Sequence, residues 1–235
     1  MGNELDKIAW YLGQPRECSY LEKQEAQDVF CQNDDISPLS YEVLLANGFR
    51  RSGNIIYRPN CDNCRACQPL RIQANSFKPS KSQRRVLRSN KDLTLTWGEL
   101  SDNDEHLELY ELYQQSQHQG QMSCKKDDFM VMFSHQGIDV REMRICLEDR
   151  LIGVGIVDVG PTSLSSVYFY FDPEFRSRSL GTYSIIQEIL ACQQNGWYYW
   201  YAGFYIKECQ KMEYKGRFGP AEVLTDIGWM PFTPN

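Results

Sequence analysis

Residues 168–220 determine the architecture that we predict for this chain. They begin with YFYFDPEFRSRSLGTYSIIQEI (168–189) and continue, after seven further residues, with WYYWYAGFYIKECQKMEYKGRFGP (197–220). The first stretch predicts a hydrophobic strand, a turn rich in Arg, Ser and Gly, and a helix. The second predicts a buried aromatic strand and an irregular segment rich in Tyr and Lys. A helix that starts directly after such a turn presents backbone N–H groups that can bind an anion or an ester.

Two further strands are predicted upstream of this stretch. They read EMRICLE (142–148) and LIGVGIVDVG (151–160), and hairpin-type breaks separate them from each other and from the strand that ends at Asp172. We therefore predict an α+β fold whose sheet is mixed, mostly antiparallel and flanked by helices. Residues 1–95 are predicted to form an N-terminal region with a cysteine loop and a basic helix, and residues 96–235 the domain that contains the sheet.

The composition is that of an ordinary globular protein. The 235 residues are 42% hydrophobic and 24% charged, and no apolar run is long enough to span a bilayer. The first residues lack the apolar stretch of a signal peptide, so we expect a cytoplasmic protein that does not bind a membrane. Nine cysteines, an odd number, argue against a disulfide scaffold in a chain of this kind.

A basic segment contrasts with the net charge of −6. Residues 77–91 carry six Lys or Arg side chains and no acidic one, and Ser80 is a plausible N-cap for a helix there. Spacings of three and four residues place one set of basic side chains on one face of this helix, namely Lys81, Arg84, Arg88 and Lys91. A local basic patch on an acidic chain indicates that a polyanion is held at one place.

The strongest local chemical pattern is Cys61-x-x-Cys64-x-x-Cys67. Spacing by two lets thiolates converge on one metal, and a fourth ligand can come from Cys18 or Cys31. We hypothesise that a zinc ion or an iron–sulfur cluster binds here. The alternative is a reduced loop without metal, since three clustered cysteines lack an assured fourth ligand.

Six segments together resemble the arginyl-tRNA–protein transferase family, and in particular its short bacterial branch, which transfers leucine. They are CQPLRI (67–72), FKPSKSQRRVL (77–87), FDPEF (171–175), SLGTYS (179–184), YYWYAGFYI (198–206) and KMEYKGRFGP (211–220). The cysteines match the family only in part. Cys18 occupies the first position of a cluster-binding set found in the eukaryotic branch, whereas Leu21 replaces the second. The resemblance therefore favours Cys18, Cys61, Cys64 and Cys67 as the metal ligands.

The predicted order of strand, strand, strand, turn, helix and strand is that of the GNAT acyltransferase fold. The phosphate loop of that fold reads Gln/Arg-x-x-Gly-x-Gly/Ala. Here Arg178 and Gly181 match it, but Tyr183 takes the place of the small residue. A tyrosine at this position would crowd a pyrophosphate, so we expect a GNAT-like fold with an acyl donor other than acetyl-CoA.

The resemblance implies aminoacyl transfer between two macromolecular partners. The N-terminal amine of a protein that begins with Asp or Glu attacks the ester of Leu-tRNA, and the new peptide bond creates a degradation signal of the N-degron pathway. No cofactor is required, because the ester is already activated. The amine must lose a proton, the oxyanion needs hydrogen-bond donors, and the ribose oxygen that leaves needs a proton.

We assign candidate residues on this basis. Arg71 is the first choice for the acceptor's carboxylate, because a guanidinium binds a carboxylate in a bidentate manner, and Arg50 and Arg51 are weaker candidates. Tyr170 is a candidate proton donor, and Asp172 a candidate partner for the ammonium group. Each has a structural alternative: an ion pair for Arg71, core packing for Tyr170 and a turn cap for Asp172.

Three further sets follow from the resemblance and from local chemistry. The backbone amides of Leu180, Gly181 and Thr182 are expected to bind the oxyanion. Basic and aromatic side chains after the last strong strand are expected to bind the substrates, including the tRNA 3′ end: Tyr205, Lys207, Lys211, Lys215 and Arg217. The basic helix is expected to bind the acceptor stem through Lys81, Arg84, Arg85 and Arg88.

Three other functions stay open on the sequence alone. The first is arginyl transfer within the same family, since the preference for leucine depends on subfamily resemblance. The second is a CoA-dependent acetyltransferase, against which Tyr183 argues. The third is a non-catalytic module that binds tRNA or a peptide.

Overall fold

The structure is a computed structural model that describes residues 4–118 and 122–233. Its strands are β1 (Tyr11–Leu12), β2 (Arg16–Glu17), β3 (Glu25–Ala26), β4 (Asp28–Gln32), β5 (Arg50–Ser52), β6 (Ile55–Pro59), β7 (Gln68–Gln73), β8 (Leu93–Glu99), β9 (Asp139–Leu147), β10 (Arg150–Val159), β11 (Ser163–Phe171), β12 (Tyr199–Tyr205), β13 (Ala221–Thr225) and β14 (Gly228–Phe232). Its α-helices are α1 (Pro38–Ala46), α2 (Lys81–Ser89), α3 (Asp104–His118), α4 (Lys126–Phe133), α5 (Leu180–Asn195) and α6 (Gln210–Glu213). Short 3₁₀ helices cover Glu4–Lys7, Ala74–Ser76, Pro173–Arg178 and Tyr214–Arg217.

The main sheet has eight strands in the order β14-β13-β7-β12-β11-β10-β9-β8. Every neighbouring pair is antiparallel except β11 and β12, which are parallel. The segment from β9 to β12 runs strand, strand, strand, 3₁₀ turn, helix and strand. The predicted α+β class, the mostly antiparallel sheet and the GNAT-like element order are therefore confirmed.

Helices cover both faces of this sheet, because successive side chains on a strand point to opposite sides. On β11, Phe169 and Phe171 pack with Leu180 at the start of α5. Tyr168 and Tyr170 point the other way and pack in a cluster with Tyr110 of α3 and with residues of α4. The sheet is thus a layer between α5 with α2 on one side and α3 with α4 on the other.

The N-terminal part of the chain packs on the main sheet. A smaller antiparallel sheet has the order β1-β4-β6-β5, and its Cys31 and Ile56 form a core with Tyr41 and Leu45 of α1. The cysteine loop lies between β6 and β7, and β7 belongs to the main sheet. The boundary predicted between residues 95 and 96 lies inside β8, which pairs with β9.

The basic helix α2 begins where the sequence predicts. Ser80 is its N-cap and forms a capping box with Gln83. Val86 and Leu87 pack against the cluster that contains the start of α5. In the described ranges 4–118 and 122–233, no helix has the length and apolar character that a membrane crossing requires.

Candidate active site

A cavity opens where the two parallel strands of the main sheet separate. β11 and β12 pair only between Ser163–Ser165 and Tyr199–Tyr201, and beyond these residues they diverge. The space between them has a volume of about 760 Å³, and residues 166–169 of β11 and 202–204 of β12 line it. A cavity of this size between diverging strands is large enough for an aminoacyl ester and an attacking amine.

The N-terminus of α5 opens into this cavity. The expected oxyanion residues Leu180, Gly181 and Thr182 all line it, and the N–H groups of a first helical turn lack partners within the helix. Ser179, which precedes them, has a left-handed backbone conformation with φ 56° and makes no side-chain cap. A Cβ added at Gly181 would meet only Phe169, at 4.0 Å. These amides therefore remain available to an oxyanion, and the position beside Gly181 is open.

Glu188 of α5 is a fully buried carboxyl group in the wall of the cavity. Ser184 Oγ donates to Glu188 Oε1 at 2.9 Å, and Trp200 Nε1 donates to Oε2 at 2.8 Å. Burial raises the pKa of Glu188 to about 7, although these two hydrogen bonds oppose the shift. The pKa of Glu188 therefore lies well above that of an ordinary carboxyl group and near neutral pH.

Lys215 approaches the cavity from the 3₁₀ helix Tyr214–Arg217. Its Nζ donates to the backbone oxygen of Phe204 at 3.2 Å. Burial and then the positive charge of Arg50 lower the pKa of Lys215 to about 7. A lysine whose pKa lies near neutral pH is suited to act as a general base, because a general base needs the uncharged amine.

Gly203 lets these cations come close to the backbone of β12. It has φ +82°, a conformation that glycine adopts easily, and the pairing of β12 with β7 is irregular next to it. A Cβ at Gly203 would lie 3.4 Å from Lys215 Nζ and 3.6 Å from Arg50 Nε. A side chain at this position would therefore fill the space between Lys215 and Arg50.

The predicted pair Tyr170 and Asp172 lies elsewhere. Tyr170 is fully buried among the aromatic rings of α3 and α4, and burial strongly raises the pKa of its hydroxyl. Asp172 accepts a hydrogen bond from the Glu174 amide at 2.9 Å and an ion pair from Arg150, so it caps the 3₁₀ helix Pro173–Arg178. The structure thus brings neither residue to the cavity, and it places both in the roles that we gave as alternatives.

Arg71, the first choice for the acceptor's carboxylate, is also outside the cavity lining. Its Nε binds Glu222 at 2.7 Å, and its guanidinium lies 3.7 Å from the ring centre of Tyr199 and 4.1 Å from that of Trp229. Arg71 of β7 therefore contacts side chains of three other strands, β12, β13 and β14, and has its own carboxylate partner.

The predicted substrate-binding residues after β12 lie at several separate places in the structure. Lys211 and Lys215 line the cavity. Tyr205 is buried against Phe232, with ring centres 4.7 Å apart, and Lys207 lines a separate surface cavity beside the cysteine loop. Arg217 is exposed, and its backbone oxygen accepts a hydrogen bond from Gln83 of α2. Of the five side chains after β12 that were predicted to bind the substrates, the structure brings two to the candidate site.

The basic helix α2 connects the two segments that border the cavity. At its start, Gln83 Nε2 donates to the Arg217 oxygen at 3.1 Å, one turn from Lys215. At its end, Asn90 Nδ2 donates to the Arg178 oxygen at 2.9 Å, just before α5 begins. Both amides are buried. The four basic side chains predicted to bind tRNA are all exposed: Lys81, Arg84, Arg85 and Arg88.

The four predicted metal ligands lie near one another. Cys61, Cys64 and Cys67 line one cavity of about 480 Å³. Burial raises the pKa of the Cys67 thiol to about 12, and the proximity of Cys18, Cys61 and Cys64 adds to this shift. Cys18 Sγ accepts the amide N–H of Leu21 at 3.4 Å. In the described part of the chain, however, no three Cys, His, Asp or Glu side chains are arranged to hold a metal ion.

Glu188 is the site residue that our sequence reasoning missed. It lies on the buried face of α5 among apolar residues, where an isolated acid is a signal in itself, because an unpaired buried carboxylate is costly. Its position on the apolar face of α5 is visible in the sequence, but only the tertiary structure places it in the wall of the cavity that Lys215 also lines.

Two family models match this chain. The model for the N terminus of arginine-tRNA-protein transferase covers residues 16–85, and the model for the C terminus covers residues 105–225. Both stretches contain segments on which the resemblance in the sequence was based.

Curated relatives agree with these models over nearly the whole chain. An aspartate/glutamate leucyltransferase from Saccharophagus degradans is 38% identical over 233 residues, which is 97% of this chain and 99% of the relative. The protein of that name from Shewanella amazonensis is 42% identical over 217 residues, 91% of this chain and 90% of the relative. One from Pseudomonas putida is 37% identical over 237 residues, 97% of this chain and 98% of the relative.

Solved structures resemble the chain more distantly. FemX covers 85% of this chain and 80% of its own, with 9% identity and a TM-score of 0.45. The PaiA N-acetyltransferase from Thermoplasma acidophilum, in complex with coenzyme A, covers 44% of this chain and 74% of its own, with 14% identity and a TM-score of 0.33. The matches of the family models and the identity to curated relatives show that this chain belongs to the arginine-tRNA-protein transferase family.

Proposed function

We propose that this protein transfers leucine from Leu-tRNA to the N-terminal amine of proteins that begin with Asp or Glu. The observation that carries the proposal is the cavity between β11 and β12, which gathers the amides of α5, Glu188 and Lys215. The curated relatives that cover the chain are named for this activity. We further propose a cytoplasmic protein whose product is a degradation signal, because charged tRNA and its protein substrates meet in that compartment.

The geometry supports a direct attack of the amine on the ester. The ester carbonyl lies at the start of α5, where the backbone N–H groups stabilise the oxyanion as the new C–N bond forms. Lys215, partly uncharged at neutral pH, takes a proton from the attacking nitrogen. The carbon–oxygen bond of the ester then breaks, and the ribose oxygen receives that proton. The peptide product and the free tRNA then leave, and the site has neither gained nor lost a proton.

The walls of the cavity favour leucine over arginine as the group transferred. Apolar side chains line it, namely Val167, Phe169, Phe171, Leu180 and Ile185. Within the described residues, Glu188 is the only acid in this lining, and both of its oxygens already accept hydrogen bonds. A leucyl side chain gains by burial here, whereas an arginyl side chain finds no free carboxylate.

The position of α2 supports an entry path for the tRNA. Its exposed basic face lies between the segments that carry Arg178 and Arg217, which border the cavity on two sides. An acceptor stem bound along this face can place its 3′ end at the start of α5. Phosphate contacts from this face contribute affinity that depends on salt and not on sequence.

A bound zinc ion or iron–sulfur cluster at Cys18, Cys61, Cys64 and Cys67 stays a proposal that is separate from the transfer step. The thiol chemistry suits either group, but the described arrangement does not close a coordination shell. Metal analysis of protein purified without oxygen tests it, and zinc or iron no higher than in a Cys64→Ser, Cys67→Ser variant contradicts it.

The transfer reaction can be tested with purified components. The protein is incubated with separately charged Leu-tRNA or Arg-tRNA and with peptides that begin with Asp, Glu, Lys or Ala, and mass spectrometry identifies the products. We expect leucine on the Asp and Glu peptides only. Addition of arginine contradicts the donor, and addition of neither amino acid favours a binding module. A rise of the melting temperature with acetyl-CoA favours an acetyltransferase.

A Lys215→Met variant tests the role of the amine in the same assay. Methionine keeps most of the volume but cannot accept a proton, so we expect kcat to fall by about 100-fold or more. Lys207→Met is the matched control, because Lys207 lines a different cavity. Equal activity of the two variants contradicts the role of Lys215 as the base.

A further inference from the structure

The sequence offers three arginines as candidates for binding the acceptor's carboxylate, and two of them already have carboxylate partners. Arg71 is paired with Glu222 at 2.7 Å. Arg51 is fully buried and paired with Asp158. Neither guanidinium can bind a substrate carboxylate without breaking an internal ion pair, which is costly for buried groups.

Arg50 differs from both. It lines the cavity, as Arg51 also does, but it is half-buried and forms no ion pair with any carboxylate of the described residues. Its Nη1 donates to Ser165 Oγ at 2.7 Å and its Nη2 donates to the backbone oxygen of Ser166. These two bonds leave three of the five N–H donors of a guanidinium, and its Nε lies beside Gly203, where a side chain would block it.

The surroundings of Arg50 make this guanidinium rigid and the site positive. β5 and β11 hold it from two sides, so little conformational freedom is lost when it binds an anion. Lys215 lies close enough for the two positive charges to interact. The positive charge of Arg50 also acts on the buried carboxyl group of Glu188, where it opposes the rise in pKa, but the two groups form no ion pair. A half-buried guanidinium that is held by neutral oxygens and has no carboxylate in direct contact suits an anionic ligand.

A second opening leads from this part of the cavity toward the N-terminal region. A neighbouring cavity of about 420 Å³ shares Tyr20, Tyr57 and Phe204 with the first. Gly13 and Gln14, which lie near the small sheet, also line this neighbouring cavity. The rest of an acceptor polypeptide has a path here that is separate from the basic face of α2.

We propose that the guanidinium of Arg50 binds the side-chain carboxylate of the acceptor's N-terminal Asp or Glu and thereby selects the acceptor, an inference that rests on the proposed function. The acceptor's amine then lies between Arg50 and the start of α5, next to Lys215. Arg176, another cation in the lining, lies in the 3₁₀ helix Pro173–Arg178, and the Arg178 oxygen of that helix accepts a hydrogen bond from α2. Arg176 therefore belongs to the side of the tRNA.

The test compares peptides that begin with Glu and with Gln, which differ in charge but hardly in shape. kcat/KM for leucine transfer is measured for both peptides with wild type, Arg50→Ala, Arg50→Lys and Arg176→Ala, and the melting temperature of each variant is recorded. The ratio of the two values is used because a change in the pKa of Lys215 affects both peptides alike. We expect Arg50→Ala to lower the Glu/Gln ratio by about 10- to 100-fold.

The other variants separate binding of the carboxylate from other roles. Arg50→Lys keeps the charge without the planar fork, so we expect an intermediate ratio, and this variant decides the question if Arg50→Ala does not fold. Arg176→Ala should raise the KM for Leu-tRNA and leave the ratio as in wild type. An unchanged ratio in both Arg50 variants, or a ratio that collapses in Arg176→Ala, overturns the inference. Absence of leucine transfer by wild type overturns the proposed function first, and this inference with it.

Discussion

Glu188 and Lys215 show how one environment brings two unlike groups to the same proton affinity. Burial disfavours the charged form of each, so it raises the pKa of the acid and lowers that of the amine. Both values come to about 7. A pKa near the working pH suits a group that takes up or releases a proton during a reaction.

The raised pKa of Glu188 predicts a stability that depends on pH. Between the ordinary value of 4.5 and about 7, the folded state keeps a proton that the unfolded state has released. The stabilisation is therefore complete below about pH 4.5 and is lost as the pH rises through about 7. Glu188→Gln, which resembles the protonated acid, should gain stability relative to wild type by up to about 3 kcal/mol between pH 5 and pH 8.

Urea unfolding of both proteins at the two pH values measures this difference. Lys215 is present in both, so its own titration cancels. Asp92→Asn is a suitable control, because the hydrogen bond from Arg178 lowers the pKa of Asp92 and keeps this carboxylate charged over the whole range. The control should therefore not gain stability with rising pH in this range. A difference between wild type and Glu188→Gln that does not change with pH contradicts the assignment.

Helix α2 is held at its two ends and along its apolar side, which leaves its basic face to the solvent. The capping box and Gln83 fix its start, Asn90 fixes its end, and Val86 and Leu87 pack toward α5. Charge reversal on the exposed face therefore changes the surface and not the packing of the helix.

Reversing the charges of Arg84 and Arg88 to Glu should weaken the binding of Leu-tRNA. If each arginine contacts one phosphate, the slope of log K against log salt should fall in magnitude by roughly two. A filter-binding or fluorescence titration at several salt concentrations measures both quantities. The double reversal Lys125→Glu, Lys126→Glu near α4 is the control for net charge. Equal effects of the two double variants contradict a specific role of α2.

Asp158 connects the smaller sheet to the main sheet. Arg51 of β5 binds both of its oxygens, and Tyr41 of α1 donates to Oδ2 at 2.7 Å. Arg51 Nη2 also donates to the Phe133 oxygen at 2.8 Å, at the end of α4. The same strand, β5, carries Arg50, so this buried network also sets the position of the proposed acceptor-binding guanidinium.

Asp158→Asn should therefore destabilise the whole protein. The substitution leaves the Arg51 charge buried without its counter-ion, which costs about 3–5 kcal/mol. Asp139→Asn is the matched control, because Asp139 pairs with Arg141 on the exposed part of β9 and such pairs contribute under about 1 kcal/mol. Chemical denaturation gives both values, and a cost for Asp158→Asn no larger than that of the control contradicts this account.

The order of the elements and several of their ends could be read from the sequence, because they depend on neighbours. The hairpin breaks around β10, the cap at Ser80 and the turn before α5 each involve residues a few positions apart. The family resemblance also depends on contiguous segments, and the family models confirm it. The turn and helix start at residues 180–182 could be read from the sequence for the same reason, and the structure places these residues in the lining of the cavity.

The choice among chemically equivalent residues was decided only by the tertiary structure. Arg50, Arg51 and Arg71 look alike in the sequence, but Arg51 meets Asp158 across 107 residues and Arg71 meets Glu222 across 151. Tyr170 and Glu188 are a similar case. Tyr170 lies on the face of the sheet that packs against α3 and α4, so it belongs to the core, whereas Glu188 on α5 lies on the other face and lines the cavity. An ion pair or a strand pairing between distant residues leaves no local pattern in the sequence. The sequence by itself therefore determined the fold and the kind of chemistry, whereas the packing determined which side chains remain free to bind a substrate.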